Sequence, residues 1–262
     1  MRVLTARPSV EDEARVPHKL YGFLGADASC SAGIWLRYAK MEIDWARAQG
    51  KTPIVVGGTG LYLKALTQGI AEIPSVDAGV RAQVISDFEA MGRDAFVERL
   101  RAIDPEFFVR LKVQDKQRLI RAYEVWLGSG KTISWWQSRD VQPIYKAEEM
   151  EIIKIELPRE ELYQRCNQRV EQMVAQGAVD EVRELGFRLQ ALGFSFNELE
   201  AQSPEPRAYA ITKVIGVSEF ASYLRGEIDL TQAIELCKTA TRQYAKRQMT
   251  WFRHQLIING KI

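Results

Sequence analysis

Apolar residues recur every three or four positions along most of this chain, which is the spacing of one face of an α-helix. Ser31–Gln49 and Glu160–Gln176 show the spacing most strongly, and Gly50 and Gly177 follow them where a helix would end. The same spacing predicts helices over Leu61–Gln68, Val80–Met91, Asp94–Ile103, Asp115–Leu127, Asp180–Leu189 and Leu230–Phe252.

Short β-branched or alternating runs interrupt this pattern and predict strands. Pro53–Val56 is typical of a buried parallel strand, Glu151–Leu157 alternates in part, and Leu256–Ile258 is a candidate closing strand. Strands that alternate with helices favour a parallel sheet, so we expect an α/β fold. The expected domains are an α/β core over 1–72 and 142–262 and a helical insertion over 73–141.

Composition narrows the classes of function. The 262 residues are 46% hydrophobic and 27% charged, as in ordinary globular proteins, and no apolar run reaches the roughly 18 residues of a membrane span. The net charge is only +2, so a nucleic-acid surface would need local clustering of basic residues. Cys30, Cys166 and Cys237 form neither a disulfide framework nor a Cys-x-x-Cys metal pair. We expect a cytoplasmic monomer with no membrane partner.

A glycine turn follows the first predicted strand. Gly57-Gly58-Thr59-Gly60 would open the next helix, where backbone N–H groups and the helix dipole favour an anion, and Thr59 adds a hydroxyl. The pattern therefore predicts a site for a phosphate-bearing substrate. A tight turn without a ligand is an equally good interpretation of the motif alone.

The last predicted helix carries a stripe of basic residues with aromatic residues among them. Lys238, Arg242, Lys246 and Arg253 fall on one side at helical spacing, and no acidic residue occurs between Cys237 and His254. Such a stripe on a nearly neutral protein indicates phosphate contacts, with a solvated helix face as the alternative.

Two more basic pairs are placed as neighbours on helices, Arg118 with Arg121 and Arg165 with Arg169. With the last helix, and with Arg81 as a further member, they could form one extended surface for a polyanion.

The segment Gly128-Ser-Gly-Lys-Thr132 imitates the end of a phosphate-binding G-x-x-x-x-G-K-[ST] loop. The first glycine of that loop would fall at Val125, inside a predicted helix, and no buried strand precedes it. We therefore interpret the segment as the C-terminal cap of a helix.

These motifs resemble, in order and spacing, those of the tRNA dimethylallyltransferase (tRNA isopentenyltransferase) family over nearly the whole chain. The matching segments are Thr5-Ala-Arg-Pro8 with Pro17-His18, Gly57-Gly-Thr-Gly-Leu-Tyr62, Gln117-Arg-Leu-Ile-Arg-Ala122, Gln168-Arg169, Ile215-Gly216 with Glu219, and Lys246-Arg-Gln-Met-Thr-Trp-Phe-Arg253.

The resemblance implies transfer of a dimethylallyl group from dimethylallyl diphosphate to the N6 amine of the adenine beside the anticodon. It also implies a P-loop NTPase-like, nucleotide-binding core, Mg²⁺ on the diphosphate, and the tRNA anticodon stem-loop as partner. Arg169 and Thr59 would be catalytic, with Gly57, Gly58 and Thr59 along the substrate channel. The tRNA would contact Arg81, Gln117, Arg118, Leu119, Ile120, Arg121, Lys246, Arg247, Gln248, Met249, Thr250, Trp251, Phe252 and Arg253. No residue is assigned to a metal.

The family's phosphate loop G-P-T-A-S-G-K-[ST] and the aspartate proposed as its general base do not occur in this sequence, and we expect them upstream of Met1. Three interpretations stay open. The chain is an enzyme of this family whose reading frame begins upstream, an inactive relic that still binds tRNA, or a relative of the P-loop small-molecule kinases. Salt-dependent tRNA binding would separate the first two from the third.

Overall fold

A computed structural model describes residues 1–25, 28, 30–110, 115–191 and 209–255. Helices account for nearly all of its regular structure. In chain order they are α1 (Val10–Arg15), α2 (Ala32–Ala48), α3 (Gly60–Gln68), α4 (Ala78–Met91), α5 (Arg93–Ile103), α6 (Pro105–Arg110), α7 (Lys116–Ser129), α8 (Ile133–Gln137), a short 3₁₀ turn (Ala147–Glu149), α9 (Arg159–Ala175), α10 (Ala178–Ala191), α11 (Tyr209–Thr212), α12 (Val217–Leu224) and α13 (Leu230–Gln255).

The chain divides into two compact units. The first comprises 1–65 and 145–262, and the second comprises 66–144. Within the described ranges each unit has its own buried apolar cluster. Of the helices in those ranges, none combines the length and apolar character that crossing a bilayer requires.

In the first unit the core is built where α9, α10, α12 and α13 pack together. Apolar residues on one face of each helix supply it, among them Val170, Val182, Phe220 and Cys237. Burial of such faces is the main force that holds helices in place. The packing fixes α9 beside α13, so the residues on their outer faces are positioned together.

The chain's first residues are held against this core by one carboxylate. Glu181 on α10 accepts hydrogen bonds from the backbone N–H groups of Arg2, Val3 (3.2 Å) and Leu4 (3.0 Å). Leu4 is buried beside Gly216, which has a φ of +98° and stands at the start of α12. A Cβ at Gly216 would lie 2.7 Å from Leu4, and the Gly216 N–H donates to Glu219 at 2.9 Å. The Ile215-Gly216…Glu219 motif is thus a helix start that requires glycine.

In the second unit the core lies between α4, α5, α7 and the shorter helices α6 and α8. Its fully buried residues include Val84, Phe96, Leu100 and Tyr123. Asp115 accepts from the Arg118 N–H at 3.1 Å and so caps the start of α7.

The expected parallel sheet is wrong. No strand occurs in the residues that the structure covers, and the two runs that predicted strands there form no regular secondary structure. Ile54 and Val56 are 81% and 75% exposed, and Ile153 and Ile155 are 77% and 85% exposed. An apolar β-branched run becomes a strand only where a second strand takes its backbone hydrogen bonds, and neither run has one. Leu256–Ile258 lies outside the described residues.

The interpretation of Gly128–Thr132 as a helix cap is confirmed. α7 ends at Ser129, and Gly130 adopts the left-handed conformation with a φ of +68° while its N–H donates to the Trp126 carbonyl. Val125 is fully buried within α7.

Candidate substrate and nucleic-acid site

The glycine turn forms the entry to α3. The Thr59 carbonyl accepts from the N–H groups of Tyr62 at 3.0 Å and Leu63 at 3.2 Å, which closes the first turn of the helix. The first N–H groups of a helix have no partner within it and point outward from its start. Gly57 and Thr59 are exposed to solvent. The turn therefore presents backbone donors and one hydroxyl at an accessible surface.

The last helix, α13, packs its C-terminal end directly onto this turn. A Cβ added to Gly58 would lie 2.2 Å from the Gln248 side-chain nitrogen, and one added to Gly60 would lie 2.2 Å from the Trp251 indole ring. Gln248 and Trp251 are three residues apart and share one face of α13. The two side chains occupy the space that a methyl group would fill; the Gln248 end can rotate away from Gly58, whereas the rigid Trp251 ring requires glycine at Gly60. Two motifs far apart in the sequence thus form one site.

Aromatic residues line the helix that follows the turn. The Tyr62 ring stacks on Trp35 of α2 with centroids 4.8 Å apart, and the Tyr62 hydroxyl donates to the Cys30 carbonyl at 3.1 Å. Burial, and after it the hydrogen-bonding side chain of Cys30, raises the pKa of Tyr62 to about 12, so the phenol stays protonated at neutral pH. Trp35 was not predicted as part of the site, because its helical position says only that it faces inward.

The basic stripe of α13 divides into two parts. Lys238, with a side chain only 12% exposed, pairs with Glu171 of α9 at 2.7 Å and with Glu235 at 2.8 Å. Arg242 donates to Asn167 of α9 at 2.6 Å. The first part of the stripe therefore holds α13 to α9. Its partners on α9 could not be seen in the sequence of α13 alone.

The second part of the stripe faces solvent. Lys246, Arg247 and Arg253 are exposed, and the Arg247 guanidinium lies 5.6 Å from the centre of the Tyr244 ring. Arg253 adds to the positive field that, after the hydrogen bond from Lys154, lowers the pKa of Glu156. Among the other predicted tRNA contacts of α13, Thr250 is exposed and the Trp251 and Phe252 rings meet edge to face at 5.4 Å. Gln248 and Met249 are half-buried.

Arg169 lies on α9, the helix that packs against α13. It is exposed, and its side chain makes no hydrogen bond or ion pair with another residue of the described chain. Burial raises the pKa of the neighbouring Cys166, against the opposing positive charges of Arg169 and Arg242. Arg165, by contrast, is bound to Glu161 at 2.7 Å. Of the predicted basic pair, Arg169 is therefore the one whose guanidinium has no partner among the described residues.

The remaining predicted contacts lie in the second unit. Gln117 and Arg118 are exposed on α7, whereas Leu119 (0% exposed) and Ile120 (5%) belong to the core, so their side chains do not reach the surface. Arg81 and Arg121 both bind the buried carboxylate of Glu124, a residue that no motif in the sequence had singled out.

Metal-binding side chains do not cluster in this site. Over the described ranges, no group of three or more His, Cys, Asp or Glu is close enough to hold an ion. The donors at the glycine turn are N–H groups and a hydroxyl, which suit an anion rather than a cation. These residues do not fit a protein-built Mg²⁺ site.

Comparison with known proteins adds an independent observation. The family model "IPP transferase" matches residues 1–255. The chain is 43% identical to the tRNA dimethylallyltransferase of Phenylobacterium zucineum over 98% of this chain and 78% of that protein. It is 42% identical to that of Rhodospirillum centenum over 98% and 77%.

Solved structures give the same result. The full-length tRNA isopentenylpyrophosphate transferase of Bacillus halodurans is 28% identical with a TM-score of 0.59, covering 97% of this chain and 74% of that one. A eukaryotic dimethylallyltransferase acting on tRNA is 25% identical with a TM-score of 0.76, covering 100% and 62%. With a glycine turn, a basic helix and a family match that all run through the same residues, the chain belongs to the IPP transferase family.

Proposed function

We propose that this protein is a tRNA prenyltransferase that moves a dimethylallyl group from dimethylallyl diphosphate to the N6 amine of the adenine adjacent to the anticodon. Relatives named tRNA dimethylallyltransferase support the reaction class. The observation that carries the proposal is the packing of Gln248 and Trp251 of α13 onto Gly58 and Gly60. It brings the glycine turn, whose N–H groups suit an anion, against a basic, aromatic helix suited to RNA.

The reaction is helped mainly by electrostatic stabilisation of the charges that develop in its transition state. The amine nitrogen attacks C1 of the dimethylallyl group, the C1–O bond breaks, and the diphosphate leaves with the bonding electrons. The amine then gives up one proton to the departing diphosphate. Negative charge grows on the diphosphate as the bond breaks, and preorganised donors stabilise it. The N–H groups at the start of α3, the Thr59 hydroxyl and the Arg169 guanidinium are the groups we propose for this role.

Positive charge grows on the dimethylallyl carbon in the same step. The indole of Trp251 lies against Gly60, at the same turn as the proposed diphosphate donors. An aromatic face attracts a cation and excludes water that would otherwise capture it. We therefore propose that Trp251 forms a wall of the channel that holds the prenyl chain.

Mg²⁺, where bound together with the diphosphate, would neutralise part of its negative charge. The described residues do not themselves form a site for it.

The exposed cations of α13 would hold RNA. Lys246, Arg247 and Arg253 have side chains at the surface, and each phosphate contact releases counterions and so makes binding dependent on salt. We further propose that the protein is cytoplasmic and works as a monomer. Light scattering of the native protein would test whether it is a monomer.

The experiment uses a tRNA transcript with adenine beside the anticodon and dimethylallyl diphosphate labelled in the prenyl group. We expect label in the tRNA and none when that adenine is replaced by guanine. Salt-dependent binding of the transcript without label transfer would contradict the enzyme and favour the alternative, an inactive chain that binds tRNA. Absence of both would contradict both.

A further inference from the structure

Glu124 is a buried carboxylate held between two arginines from different helices. Its side chain is 5% exposed. Oε2 accepts from Arg81 of α4 at 2.8 Å, and Oε1 accepts from Arg121 of α7 at 2.6 Å. Each oxygen thus fixes one guanidinium, and the pairs also tie α4 to α7.

The contact with Glu124 leaves some of the N–H donors of Arg81 and Arg121 free. Their side chains are 39% and 38% exposed, so one part of each guanidinium touches Glu124 and another part reaches solvent. A guanidinium has five N–H donors in a planar fork. The bond to Glu124 uses one nitrogen of each, and the donors on the solvent side stay available for an outside acceptor.

The pattern differs from the surface ion pairs of the same unit. Glu98 pairs with Arg101 at 3.6 Å, but its side chain is 73% exposed and the pair is free to rearrange. Glu124 sits on the core side of α7, between Tyr123 and Val125, which are both buried. Burying a charge beside a core is costly, and a purely structural contact between α4 and α7 could be made by apolar side chains instead. The arrangement is suited to setting the direction of two cations at the surface.

From this geometry we infer that Glu124 is a positioning residue that aims Arg81 and Arg121 at phosphate groups of the RNA. The inference rests on the proposed function. Fixing two long side chains before binding removes part of the entropy that the complex would otherwise lose. Glu124 itself makes no contact with the RNA.

The test relies on an effect of opposite sign. Glu124→Gln removes one negative charge and keeps the shape, so charge alone predicts tighter binding to RNA. Positioning predicts weaker binding, because the amide no longer holds both guanidinium groups. We expect about a tenfold rise in the Kd for the anticodon stem-loop. We also expect a shallower salt dependence, reduced by the amount that one or two phosphate groups contribute.

Glu98→Gln is the matched control, since it removes the same charge from an exposed pair in the same unit. We expect its Kd to stay equal or to fall slightly. Binding is measured well below the unfolding midpoint of each variant, so a purely structural loss of stability leaves the Kd unchanged. A Glu124→Gln protein that binds as tightly as the wild type would overturn the inference while leaving the proposed function intact.

A second variant covers the case in which Glu124→Gln does not fold. Arg81→Lys combined with Arg121→Lys keeps both charges and the pairing with Glu124 but loses the planar fork. We expect the same rise in Kd, and an unchanged value would overturn the inference. If the wild type itself does not bind the stem-loop, the proposed function fails and the inference fails with it.

Discussion

At Gly60 a hydrogen atom in place of a methyl group decides whether the Trp251 indole can lie on the turn. The nearest ring atoms would be 2.2 and 2.5 Å from an added Cβ, well inside van der Waals contact. At Gly58 the neighbour is the end of the Gln248 side chain, which can rotate away. At Gly57 no atom of the described residues lies within 4 Å of an added Cβ. Three neighbouring glycines thus differ in what they permit.

Gly60→Ala is expected to destabilise the fold by about 1–3 kcal/mol, because the rigid indole has to move. Gly57→Ala is the control and should be nearly neutral. Urea unfolding followed by circular dichroism measures both, and Gly60→Ala combined with Trp251→Ala should recover part of the loss that the clash causes. Equal stability of the two single variants would contradict the contact.

Arg169→Ala is expected to abolish prenyl transfer while leaving tRNA binding largely unchanged, since its exposed guanidinium, unpaired within the described ranges, can meet the departing diphosphate. Arg165→Ala, one turn away on the same helix, removes a side chain already bound to Glu161 and should transfer normally. Single-turnover rates and stem-loop Kd values separate the two effects. Near wild-type turnover in Arg169→Ala would rule out this role.

At the scale of the element, α13 combines two tasks along its length. Its first half is attached to α9 through Lys238 and Arg242, and its last turns carry exposed cations beside the glycine turn. A stripe of one charge sign in a sequence cannot reveal this division, because the partners Glu171 and Asn167 come from another helix.

Lys246→Ala is expected to weaken tRNA binding and to reduce the slope of log K against log[salt] by about 0.7–0.9, the value for one phosphate contact. Lys238→Ala is the control at the paired end of the helix. It should lower stability and leave the salt slope unchanged. A slope that does not change in Lys246→Ala would argue against a phosphate contact there.

The local sequence pattern predicted the main helices correctly, but the parallel sheet that it predicted does not occur in the described residues. The predicted helix over Ser31–Gln49 is observed as Ala32–Ala48, because Ser31 caps its start and the apolar face at Leu36, Ala39 and Ile43 packs inward. The predicted strand at Pro53–Val56 is wrong. A helix makes its backbone hydrogen bonds within one segment, so a local pattern can predict it, whereas a strand needs hydrogen bonds to a partner strand elsewhere in the chain. The helix α1 was missed because its Ser9–Asp12 capping box has no apolar face behind it.

The candidate site was predicted in its parts but not in its assembly. The glycine turn and the basic residues could be picked out from motif and charge, whereas the predicted roles of Arg169 and Lys246–Arg253 came from the family resemblance. The pairing of Gly58 with Gln248 and of Gly60 with Trp251 is tertiary packing between residues almost two hundred positions apart, and no local pattern encodes it. Glu124 was missed for the same reason, since its burial follows from where α4 lies against α7.

Across the whole molecule, the three cysteines report on how the first unit is packed. Cys30 is half-buried, whereas Cys166 and Cys237 are 8% and 2% exposed. Burial raises the pKa of Cys166 and raises that of Cys237 to about 12. A thiol reacts as its thiolate. Burial therefore protects both thiols from reagents in two ways, because it blocks access to them and keeps them protonated.

In the native protein at pH 8, we expect Ellman's reagent to label Cys30 quickly and the buried pair only after unfolding in guanidinium. Cys30→Ser should remove the fast phase. Rapid labelling of all three thiols would contradict the packing of α9 and α13. The stabilising effect of a neutral Cys237 is complete below about pH 8.5, the ordinary thiol pKa, and is lost as the pH rises towards about 12.

The contact between Gly60 and Trp251 also gives the protein an optical label of its own. Indole emission responds to the polarity of its surroundings, and this ring covers the turn at which the diphosphate is proposed to bind. Binding of the diphosphate at the turn would change the emission wavelength and intensity of Trp251 without an added dye. In a variant in which Trp251 is the sole tryptophan, substrate binding would change the fluorescence. The rate of binding could then be measured separately from the rate of the chemical step.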